Sequence, residues 1–91
     1  MTIERIAELQ EANGLKEMQT MINSGQAWLM EGSYGRAAMD NLESGACMLP
    51  EERHQDYYGN TVPSRNDLVQ GTKGTLENSI NFWERFENGE V

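Results

Sequence analysis

The chain has 91 residues, 15 acids against 7 bases, one histidine and a net charge of −8, with a pI near 4.4. That length allows one domain, residues 1–91, whose small core leaves room for oligomerisation or a bound partner to add stability. The acid excess argues against direct nucleic-acid binding by phosphate neutralisation, and the single cysteine excludes an internal disulfide or a CxxC motif.

Helix formers dominate the first half, and the seven Val and Ile residues offer little material for strands. Thr2 is placed to cap a first helix over about 3–12, with Ile3, Ile6, Ala7 and Leu9 on one side and Asn13-Gly14 as its stop. Leu15, Met18, Ile22, Gly25 and Leu29 recur at helical spacing, widened by Met21 and Trp28, and predict a second helix over about 15–31. After a bend at Gly32-Ser33, with Ser33 as the cap, Ala38, Leu42, Ala46 and Leu49 predict a third helix over about 34–48, stopped by Pro50. Residues 15–48 read equally as a helical hairpin or as one bent helix. The small residues Gly25, Gly32, Gly35, Ala37, Ala38, Gly45 and Ala46 favour close helix packing over a ligand approaching the backbone.

From Pro50 the character changes. Residues 50–75 are polar and rich in turn formers, either an ordered functional loop or a disordered connector, with Tyr57 to Val62 as half of a minor hairpin. Thr75 then caps a last helix over about 76–88, with Leu76, Ile80, Trp83 and Phe86 inward and Asn88-Gly89 closing it. The expected fold is mainly α: a single-domain bundle of about four helices, with a long polar loop and a possible hairpin before the last.

His54 and Cys47 are the sole nucleophile–base pair in the sequence, and no orienting third group is evident, so no catalytic residue is assigned and the chain is expected not to be an enzyme. Glu51, Glu52, His54 and Asp56 fit no standard metal-ligand spacing, and neither a metal nor a cofactor is expected. In an acidic chain, Arg65 and Lys73 stand out. With Gly71, Thr72, Gly74 and Thr75 they make a candidate anion site ahead of a helix, although the Walker A order is absent and a plain surface loop, its two bases paired with nearby acids, is the favoured reading. Tyr57, Tyr58, Arg65 and the helical acids Glu77, Glu84 and Glu87 form a candidate partner-binding set, since adjacent tyrosines rarely share one buried face. No apolar run exceeds four residues and no signal-peptide pattern opens the chain, so no membrane span is expected and the chain reads as cytoplasmic.

The stretch Gly32-Ser-Tyr-Gly-Arg-Ala-Ala-Met-Asp-Asn-Leu-Glu-Ser-Gly45, then Asp56-Tyr-Tyr-Gly-Asn-Thr-Val-Pro-Ser-Arg-Asn-Asp67 and Gly71-Thr-Lys-Gly74, resembles small accessory proteins encoded by bacteriophages. The resemblance spans roughly residues 20–75 and brings no catalytic motif. Such proteins resemble inhibitors of host defence, anti-CRISPR proteins among them. The resemblance therefore implies a non-enzymatic protein in the host cytoplasm, binding and inhibiting a host defence or nucleic-acid-processing protein. Two alternatives accompany it. One is an oligomer that sequesters a nucleotide signal through the 71–75 loop, and the other is a virion-assembly factor.

Overall fold

Capping chemistry sets the first and last helices. In a computed structural model of the chain, Thr2 Oγ1 accepts from the Arg5 amide at 3.1 Å and opens α1, Ile3–Ala12. Thr75 Oγ1 accepts from the Asn78 amide at 3.3 Å and opens α4, Leu76–Glu87. Each cap satisfies an amide that the helix itself leaves bare. The structure describes residues 1–29, 32–56 and 58–90. Between these helices lie α2, Lys16–Ser24, and α3, Gly32–Ser44. A two-stranded antiparallel hairpin, β1 His54–Gln55 and β2 Thr61–Val62, precedes α4 and pairs His54 with Val62 and Gln55 with Thr61.

The two middle helices are shorter than their hydrophobic spacing predicts. Residues 15–48 form two helices, not one. α2 stops at Gly25, which takes a left-handed φ of 80°, and Gln26–Trp28 continue as one 3-10 turn. Leu29, expected on the buried seam, is 42% exposed. Ser33 lies inside the first turn of α3 and not at its cap. α3 ends at Ser44, because Gly45 has φ +99° and any Cβ there would stand 2.6 Å from the Asn78 carbonyl. Only glycine fits so close a passage under α4. On α1 the buried face is Ile6, Leu9 and Gln10, with Ile3 and Ala7 exposed.

The segment after Gly45 divides the core. Ala46, Cys47, Met48 and Leu49 are all buried, which a helix with one solvent face does not permit. Ala46 and Met48 join Ile6, Leu9 and Trp83 on one side, and Cys47 and Leu49 join Met21, Ile22, Ala38 and Leu42 on the other. Two buried glutamines hold this segment. Gln19 Oε1 accepts from the Met48 amide (2.9 Å) and from Gln10 Nε2 (2.9 Å). Gln19 Nε2 donates to the Met48 carbonyl and to Asn23 Oδ1, both at 2.8 Å. Gln10 Nε2 also reaches the Ala46 carbonyl at 2.9 Å, which further receives Trp83 Nε1 at 3.3 Å. Every donor and acceptor of the Gln19 amide is used, the condition under which a buried polar network is tolerated.

Candidate functional site

The hairpin and the loop after it build a cleft against α3. Its turn is closed by Asp56, whose Oδ1 accepts from the amides of Tyr58 and Asn60, both at 2.9 Å. His54 ties the hairpin to the end of α2, with Nε2 3.0 Å from the Asn23 carbonyl. Ser64 Oγ donates to the Glu51 carbonyl at 2.7 Å and the Arg65 amide to the Pro50 carbonyl at 2.9 Å, which zip the return strand onto the outgoing one. The described residues of 50–75 thus form a layer held by hydrogen bonds within it and to Asn23, Leu42 and Leu49.

The cleft has a volume of about 310 Å³. Trp28 from the 3-10 turn, Met39 and Leu42 from α3, Leu49, and Val62, Pro63 and Leu68 from the hairpin layer supply its apolar walls. Asp56, Thr61 and Lys73 are its polar members. Gly74 lines it too, at φ +86°, and a Cβ there would collide with Leu49 at 2.8 Å. The bonds from the Leu49 amide to the Gly74 carbonyl (2.9 Å) and from the Gly74 amide to the Leu42 carbonyl (3.2 Å) hold that approach. Met39 and Leu68 are each 38% exposed. A second, shallower groove, shaped by Arg36 and Asp40, shares Trp28 and Met39 with the cleft. Large apolar side chains left partly in water around a concave surface are the usual mark of a binding site.

No protein-family model, curated protein or solved structure matches this chain.

The structure distributes the sequence-derived candidates unevenly. Tyr58 is exposed on the hairpin turn that carries Asp56, whereas Tyr57 lies outside the described residues. Glu87 Oε2 is 2.6 Å from Arg5 Nη2 on α1, and Glu84 Oε2 is 3.9 Å from the ammonium of Met1 ahead of that helix, so both acids face cations within the chain. Arg5 donates to Glu87 and, through Nη1 at 3.1 Å, to Glu8 Oε1, and these two bonds raise its pKa. Glu77 is exposed near the start of α4, away from the other two along the helix.

Most backbone donors of the anion loop have partners within the fold. The Gly71 amide donates to Thr75 Oγ1 (3.1 Å), Thr72 to the Val69 carbonyl (3.1 Å), Gly74 to Leu42, and Thr75 to the Thr72 carbonyl (3.2 Å). Those four amides are engaged, and an anion cradle needs free ones. Lys73 Nζ pairs with Glu43 Oε1 at 3.8 Å. Arg65 is buried, with Nε donating to the Leu49 carbonyl at 2.8 Å.

Cys47 is fully buried, and desolvation pushes its thiol up to about 12. A thiol so held is neutral at physiological pH and is no nucleophile. Among the described residues, no group of three His, Cys, Asp or Glu side chains could hold a metal ion, and no helix is long and apolar enough to cross a membrane. Sequence reasoning missed Met39, Leu49 and Leu68 as site residues. The available signal was local: Leu68-Val69 is an isolated aliphatic pair in a polar loop, and Met39 lies one residue off the buried spacing Ala38–Leu42.

Proposed function

We propose that this chain is a non-catalytic protein-binding module whose cleft seats an apolar side chain of its partner. The partner class is the one its phage resemblance implies, a host defence or nucleic-acid-processing protein. The observation that carries the reading is the cleft itself: about 310 Å³, lined mainly by apolar side chains, with Met39 and Leu68 partly exposed in it. An apolar anchor in such a pocket is the common core of a binding hot spot. The net charge of −8 supplies long-range attraction for a basic partner surface, chiefly through the association rate. Four of the five amides of the 71–75 loop already have partners, which favours the cleft over the nucleotide-sequestering alternative.

The test is paired capture from bacterial extract with the wild-type chain and a Met39→Glu/Leu68→Glu variant. Both positions are exposed enough that the double change should shift unfolding by only about 1 kcal/mol or less. The expected outcome is a protein retained by the wild type and lost by the folded variant. Equal retention by both would refute the cleft as the binding site.

A further inference from the structure

Arg65 combines burial with an unused hydrogen-bonding edge. Its residue is 7% exposed, and its backbone is held on both sides, the amide on the Pro50 carbonyl at 2.9 Å and the carbonyl by Gln70 Nε2 at 3.2 Å. The one side-chain bond is from Nε to the Leu49 carbonyl. Among the described residues, Nη1 and Nη2 have no hydrogen-bond partner and no carboxylate within ion-pair distance. Neither is a sealed, unsatisfied atom, so both reach solvent. The stem is therefore clamped inside the protein while the outer edge of the guanidinium keeps a narrow opening to solvent.

A desolvated cation without a counter-ion is costly, and burial accordingly lowers the Arg65 pKa, with Glu51 opposing that shift from a distance. A fixed planar fork with free N–H groups matches two oxygens of one oxyanion. Glu51 and the overall charge of −8 penalise a doubly charged phosphate more than a singly charged carboxylate. We propose that Arg65 is the recognition residue of a carboxylate site, its two terminal nitrogens taking the two oxygens of a carboxylate that approaches from solvent. This site stands apart from the cleft reading and survives if that reading fails.

The experiment is side-chain NMR of the arginine Nε groups in the full chain, titrated with acetate against chloride at constant ionic strength, with inorganic phosphate as a second arm. The expected result is a saturable shift of Arg65 in acetate, with a midpoint of roughly millimolar order, while the other arginines drift linearly. Arg65→Lys, which lacks the fork, should weaken that midpoint at least about tenfold. If that variant does not fold, the wild-type titration decides alone. A linear Arg65 response overturns the proposal, and tighter saturation by phosphate overturns its carboxylate class. Saturation seen only in Glu51→Gln overturns it as well, because Glu51 would then be the internal counter-ion.

Discussion

At the scale of single residues, burial decides chemistry that residue type leaves open. Cys47 and Arg65 are reactive or charged groups in the sequence, yet the first is a core side chain and the second has its stem in the interior. Cys47 carries a pH dependence of definite sign. Its folded thiol is pushed up to about 12 by desolvation, whereas an unfolded cysteine titrates near about 8.5. Below pH ~8.5 both states keep the proton and the contribution is whole. Above it the unfolded chain releases a proton that the folded one retains, so stability falls by up to about 1.4 kcal/mol per pH unit until the folded thiol ionises. Urea unfolding from pH 8 to 10.5 should therefore fall more steeply for the wild type than for Cys47→Ala, and equal slopes would contradict the desolvation. Gln10 and Gln19 teach the converse. Their spacing puts them on the apolar faces, Gln10 four after Ile6 and Gln19 three before Ile22, but a polar amide is tolerated there only because the backbone of residues 46–48 arrives to bond it.

At the scale of elements, chain ends were more legible than chain middles. Thr2 and Thr75 act locally, on amides three residues ahead, so their caps could be placed from sequence alone. The end of α3 could not, because Ala46 and Leu49 continue the helical spacing and it is contact with α4 that stops the helix at Gly45. The hairpin was half legible: β2 falls within the expected Tyr57–Val62 stretch, while its partner His54–Gln55 comes from a run of charged residues that shows no strand pattern. Its stability rests on Asp56, which satisfies two turn amides at once. Asp56→Ala should cost about 1–2 kcal/mol and speed amide exchange over residues 54–62 while leaving α1 and α4 protected. Uniform loss of protection across the chain would show that the hairpin is not an independent unit.

At the scale of the whole molecule, charge and size act together. The protein measures 40 × 26 × 19 Å, and at 10 mM salt the Debye length of about 30 Å lets charges interact across most of it. With fifteen acids against seven bases, repulsion between like charges exceeds the attraction of opposite ones, even though salt also screens the pairs Arg5–Glu87 and Lys73–Glu43. Raising sodium chloride from 10 to about 300 mM should lift the unfolding midpoint by roughly 4 °C or more, about 1 kcal/mol for a chain of this size. A fall, read by calorimetry at pH 7, would mean that the ion pairs outweigh the repulsion.

The helical class, the outer helix caps and the acidic surface were determined by the sequence itself, since each depends on residues within one or two turns of one another or on a simple sum. The cleft, the divided core and the fate of Arg65 and the 71–75 amides were decided only by tertiary structure. Each requires segments far apart in the chain to meet: Leu49 with Gly74, Gln19 with Met48, Pro50 with Arg65. Local spacing carries no record of such meetings, because the same residues satisfy helix, loop and turn rules equally well until their partners arrive.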